Sequence, residues 1–131
     1  MTGGAEQAGP VSDTVVTGAS QGTTESSTGG AGAVITVFRS RLRPDAGTRY
    51  EDTADRMLEL ARRMPGFIDF KVFQAEDGER VSIITFATPE DHRAWRDHPE
   101  HRQAQRLGRD HFYASYAVTV AEVRSARAFT A

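Results

Sequence analysis

The sequence predicts an α+β fold of element order β-α-β-β-α-β, with four antiparallel strands and both helices on one sheet face. Three observations carry this expectation. Four runs rich in β-branched and aromatic residues alternate with two stretches of helical periodicity. An Asp-Gly turn joins the second and third runs. Proline, glycine or a helix cap punctuates the remaining junctions. That order is the ferredoxin-like, split βαβ arrangement.

The first run, "AVITVFRSRL" (33–42), suits a strand, and the segment from Pro44 to Gly47 breaks it. Thr48 stands three residues before Glu51, a capping box that opens a helix. Behind it Tyr50, Ala54, Met57, Leu58, Ala61 and Met64 form one apolar stripe, and Pro65-Gly66 ends it. "FIDFKVFQA" (67–75) and "RVSIITFA" (80–87) flank "EDGE", whose Asp77-Gly78 pair marks a hairpin. Thr88, followed by Pro89 and by Asp91 three residues on, starts the second helix. Pro99 should break that helix, with Asp97 and Glu100 as a second cap pair, before it resumes to about Arg109. "FYASYAVTVAEV" (112–123) is the last strand.

Both faces of these strands are apolar. Strict alternation puts Ile68, Phe70 and Val72 on one side and Phe67 and Phe73 on the other, and sets Val81 and Ile83 against Ile84 and Phe86. One layer of two helices covers only one face. A second copy of the sheet is the simplest cover for the other, so a homodimer with sheets packed face to face is expected.

Composition narrows the function classes. The chain of 131 residues fits one domain, expected at 33–125 between a tail (1–32) and a short C-terminal extension (126–131). Without cysteine there is no disulfide framework, thiolate metal site or thiol nucleophile. Sixteen basic residues face eighteen acidic ones, which lacks the basic excess of a nucleic-acid binder. No apolar run approaches the roughly 20 residues of a membrane span, and a cytoplasmic location is expected. Arginine outnumbers lysine 15 to 1 and asparagine is absent; this reads as coding bias and not as a phosphate-binding device.

The first 33 residues hold eight Gly, four Ser and six Thr, with no aromatic and no basic residue. Such a segment cannot offset its ordering entropy by burial and is expected to be disordered. It also lacks the positive and apolar regions of a signal peptide. Within it "VVTGASQG" (15–22) resembles the phosphate-binding turn of short-chain dehydrogenases, but no helical periodicity comes after it and the chain has no room for the βαβ units of a dinucleotide domain. No cofactor site is assigned to it.

The chemistry concentrates in the second helix. Trp95, His98, Arg102, Gln105 and Arg109 share one helical face if the break at Pro99 keeps phase, with His101 beside them and His92 a turn earlier. Trp, His and Arg together suit neither a core stripe nor a solvent stripe. As a pocket lining they supply an aromatic wall, a proton acceptor and a cation for developing negative charge. Trp95 is equally suited to anchoring the core, and His98, just before Pro99, to capping a helix. His98 and His101 are three apart, but no third ligand with clear spacing accompanies them, so no metal site is expected. Tyr113 and Tyr116 begin the last strand and should point to opposite faces, with Tyr116 toward the pocket.

The run "AWRDHPEHRQAQRLGRDHFYASY", within 33–125, resembles the small antibiotic biosynthesis monooxygenase family. The resemblance implies a dimeric α+β barrel whose cleft, between helices and sheet, holds an aromatic or polyketide-like substrate. It also implies oxidation of anthrone-type phenols by molecular oxygen without metal or flavin, while other members degrade haem. Two departures bear on this. Asp91 stands where anthrone-oxidising members are expected to carry Asn, and Gln105 stands where the haem-degrading members' His would be, in a chain without Asn. The expected function is a cofactor-free monooxygenase acting on a phenolic compound in antibiotic biosynthesis. His98 or His101 would be the base, Arg102 or Arg109 would hold the anion, and Trp95, Gln105, Arg109 and Tyr116 would bind substrate. The alternatives are an oxygen-independent polyketide cyclase or rearrangement catalyst, and a dimeric ligand-binding accessory protein without turnover.

Overall fold

Alternating Val, Ile, Thr and Phe make the first strand, β1 (Val34–Leu42), and bury it on one side. The computed structural model describes residues 29–131, so most of the Gly-rich tail, with the dehydrogenase-like turn at 15–22, lies outside the described residues. After β1 come α1 (Gly47–Arg63), β2 (Phe67–Gln74) and β3 (Arg80–Phe86). The second helical region has three parts, α2 (Pro89–Arg96), α3 (Pro99–Leu107) and a π-helical turn (Gly108–Phe112), and leads into β4 (Tyr113–Glu122). Strand order is β2-β3-β1-β4, with every neighbouring pair antiparallel. This is the expected ferredoxin-like α+β fold.

Helix α1 buries Tyr50, Ala54, Met57, Leu60 and Ala61. Leu60 replaces the expected Leu58, which is only half-buried. The Thr48–Glu51 capping box does not form. The turn before it already feeds the chain into the helix at Gly47, with Ala46 helical at the cap position (φ −61°, ψ −41°) and no side-chain cap. Thr48 therefore lies inside the first turn. Met57, Leu60 and Ala61 pack on Phe70, Val72, Ile84, Phe86 and Trp95 as one core, each large side chain contributing roughly 1.5–3 kcal/mol by burial.

Two β-bulges alter what strict alternation predicts. In the β2–β3 pairing the register shifts between Phe67 and Asp69. Phe67 consequently joins the helix-side core, 5.9 Å from the Phe86 ring. Ile68 turns instead toward the backbone at Gly29, which Thr85 also approaches. The faces expected for Phe67 and Ile68 are thus exchanged. Gly66, at φ 79°, allows the chain to enter β2 against the start of α2, where any side chain would run into the Asp91 carboxylate.

The face opposite the helices carries Ile35, Val37, Val81 and Ile83, all half-buried, and Phe73, 47% exposed. Among the described residues no helix is long and apolar enough to cross a membrane.

Candidate active site

A cavity of about 230 Å³ lies between the helices and the sheet. Helix α1 contributes Tyr50, Ala54 and Met57, and the sheet contributes Thr36, Phe38, Phe70 and Ile84. Among the described residues, every nitrogen-bearing functional group in its wall comes from residues 92–109: His92, Trp95, Arg96, His101, Gln105 and Arg109. Strand β4 closes one side loosely, because Tyr116, Val118 and Val120 line the cavity yet remain 39%, 51% and 49% exposed.

Local chain geometry selects these groups. Thr88 Oγ1 accepts the Asp91 amide at 3.0 Å and opens α2 with Pro89 in its first turn. Helix α2 then directs His92 and Trp95, three residues apart, into the same buried wall. At the break His98 adopts an extended backbone (φ −60°, ψ 139°) and becomes the cap of α3, its Nδ1 accepting the Glu100 amide at 3.1 Å. The second cap is therefore His98 and not the expected Asp97–Glu100 pair; Asp97 ends α2 instead. Glu100 meets Arg56 of α1 at 2.7 and 2.9 Å, an exposed pair that joins the two helices.

The extended residue changes the helical phase. His98 and Arg102, expected on the pocket face, lie outside the cavity wall. Arg102 instead reaches back to Asp97, donating to its carbonyl at 3.2 Å, and is exposed. His101, Ala104 and Gln105 take the inward positions, and the π-helical turn brings Arg109 to the wall as well. Trp95, His101, Gln105, Arg109 and Tyr116 are thus gathered in one place. His92, Arg96, Tyr113 and Tyr50 join them, although periodicity alone leaves them aside or assigns them to the core. For His92 a signal is present, since its i,i+3 spacing from Trp95 puts both on one helix face.

The second bulge explains Tyr113. Register on β1 runs Ser40 to Tyr116, Arg41 to Ser115, then Leu42 to Tyr113, which skips Ala114. Both tyrosines therefore face the cavity, against the expectation that only one could, with ring centroids 5.8 Å apart and each 5.5 Å from Phe38. Buried Gly108 makes room for Tyr113, since a Cβ there would sit 2.5 Å from the Tyr113 ring.

Trp95 is 5% exposed and serves both core and cavity, touching Phe86 at 5.3 Å and His101 at 4.3 Å between ring centroids. Its Nε1 and the Thr36 Oγ1 are buried without a hydrogen-bond partner, an uncompensated arrangement that binding sites tolerate. Burial holds the His101 pKa down, to about 4, with His92 and His98 acting in the same sense and the Arg96 carbonyl and Asp97 opposing. Burial also lowers the His92 pKa, aided by Arg96 and Arg93. Both imidazoles are therefore neutral at pH 7. Among the described residues no group of three His, Cys, Asp or Glu side chains is placed to hold a metal ion.

The model of the antibiotic biosynthesis monooxygenase family matches residues 33–107. The chain belongs to this family. Uncharacterized protein YqjZ of Bacillus subtilis (strain 168) is 36% identical over 93 residues, which span 71% of this chain and 82% of that one. Among solved structures the fold resembles Rv0793 from Mycobacterium tuberculosis (TM-score 0.65, 21% identity, 73% of this chain and 99% of that one). It also resembles SnoaB, a cofactor-independent oxygenase from Streptomyces nogalater (TM-score 0.58, 19% identity, 73% and 97%).

Proposed function

We propose that this family member is a cofactor-independent monooxygenase that oxidises an aromatic, polyketide-type phenol in antibiotic biosynthesis, in the cytoplasm and as a homodimer. The observation that carries the reading is the cavity itself. It is mostly aromatic and aliphatic, with Trp95 as one wall and two neutral imidazoles and two guanidiniums drawn from a single segment. An enolisable arene such as an anthrone would lie against Trp95 and give up its methylene proton to an imidazole. Arg96 or Arg109 would balance the negative charge of the resulting anion. That anion is electron-rich enough to reduce molecular oxygen; carbon–oxygen recombination gives a hydroperoxide, and loss of water leaves the ketone. One oxygen atom ends in product and one in water. The roles expected of His98 and Arg102 pass to His92 or His101 and to Arg96 or Arg109, because those are the groups that line the cavity. The apolar sheet face with Ile35, Val37, Val81 and Ile83 supports the homodimer.

The test is oxygen uptake by metal-free protein supplied with an anthrone. Consumption above the spontaneous rate, with one water formed per quinone, supports the reading. No enhancement across a panel of phenols would overturn it. A second reading, ligand binding without turnover, draws on Asp91: the position where anthrone-oxidising members are expected to carry Asn is absent from the cavity wall. Tight binding with no product in air would favour it.

A further inference from the structure

Helix α2 stops at Arg96, and the amide that would normally satisfy the Arg96 carbonyl, that of Glu100, is taken by His98 Nδ1. The Gln105 side chain fills the gap, its Nε2 donating to the Arg96 carbonyl at 3.0 Å. A carbonyl oxygen only accepts, so this contact is made with the amide's NH₂ group toward it. The same Nε2 lies 2.7 Å from His101 Nδ1. An amide nitrogen cannot accept, so Nδ1 must offer its lone pair, and the proton of the neutral ring then sits on Nε2.

We propose that Gln105 is a positioning residue that locks His101 in the Nε2–H tautomer, so that His101 serves the cavity as a hydrogen-bond donor to a ligand oxygen and not as its base. This rests on the reading of the cavity as the ligand site. The Trp95 ring, 4.3 Å from the imidazole, limits its rotation and so preserves the arrangement. Burial keeps the ring from charging, against a hydrogen bond to the Arg96 carbonyl and, more weakly, the charge of Asp97. A ring proton on Nδ1 shared with that carbonyl is the rival arrangement, and the wild-type spectrum distinguishes the two. A neutral imidazole with its proton fixed is suited to a carbonyl or phenolate oxygen. Proton removal is left to His92, the other imidazole in the wall.

The experiment is long-range proton–nitrogen NMR of the full chain labelled in histidine at pH 7, with His101 assigned by the signals lost in His101→Gln. The wild-type ring is expected in the Nε2–H pattern. Gln105→Leu is expected to release it into a mixture of tautomers. Gln105→Glu is expected to move the proton to Nδ1 and raise the His101 pKa toward the ordinary imidazole range. His98, whose Nδ1 accepts a backbone amide, is the internal control and should keep its pattern in both variants. A wild-type ring protonated on Nδ1, or an Nε2–H pattern unchanged in both Gln105 variants, overturns the proposal. The wild-type spectrum alone decides the tautomer should a variant fail to fold. No substrate enters the measurement, so its outcome is separate from that of the oxygen-uptake test.

Discussion

Helix α1 and the segment 89–112 cover the same sheet face in different ways. The first is an unbroken 17-residue helix whose buried residues recur at regular spacing. The second changes phase at His98, changes winding at Gly108–Phe112, and among the described residues supplies all the imidazole, indole, amide and guanidinium groups of the cavity. Regular winding buries one continuous stripe and leaves little freedom over which side chain faces inward. A break frees backbone acceptors such as the Arg96 carbonyl and re-aims the residues beyond it, and polar side chains then find defined partners. The polar chemistry has collected in the irregular helix.

Substitutions can separate the two regions. Trp95→Ala should have the largest effect, because the indole belongs to core and cavity together: a loss of about 3–5 kcal/mol is expected in urea denaturation, with oxygen uptake at the spontaneous rate. Leu60→Ala in α1 is expected to cost about 2–5 kcal/mol while the folded fraction oxidises substrate at the wild-type rate. Activity falling with Leu60 beyond the loss of folded protein would erase the distinction between the regions. Within 89–112, His101→Gln retains a donor but cannot hold a proton, and should keep oxygen uptake within roughly tenfold of wild type, the scale of about 1.4 kcal/mol. His92→Gln and His101→Phe should lower it by about 10²-fold or more, the usual range for removing a proton-transfer or charge-stabilising group.

Acidity offers a further test. The folded pKa of His101, about 4, lies below its ordinary value of 6.5, so the unfolded chain binds more protons between these limits. The stabilisation is present above about pH 6.5 and is lost as pH falls toward 4. His101→Gln removes this titration, so its stability should decline less than that of wild type over that window in denaturant melts. On the opposite sheet face, Ile83→Arg is expected to convert the proposed dimer to a monomer in light scattering, whereas His101→Gln should match the wild-type mass in the same measurement. The smallest effect expected is for Thr36→Val, neutral or stabilising by up to about 1 kcal/mol, because it removes a buried hydroxyl without a partner.

Much of this architecture is legible in the chain. Hydrophobic period, the Thr88-Pro89 cap and the Asp77-Gly78 turn depend on neighbours within a few residues, and each appears where the sequence puts it. The departures sit at irregularities. Strict alternation puts Phe67 and Tyr113 on the wrong faces because a bulge inserts one residue and inverts the strand beyond it, and nothing in "GFIDF" or "FYASY" announces it. Helical spacing points His98 and Arg102 inward only if the break preserves phase, and the extended backbone at His98 does not preserve it.

By itself the sequence determined the order of elements, the apolar faces and the segment that holds the unusual side chains, since these depend on local period and turn chemistry. Only the tertiary structure decided which side chains meet. Whether His101 or His98 faces Trp95 turns on one extended residue, and the lowered pKa of His101 turns on its burial in the folded chain. Those are properties of packing, which bring together residues that no spacing rule connects.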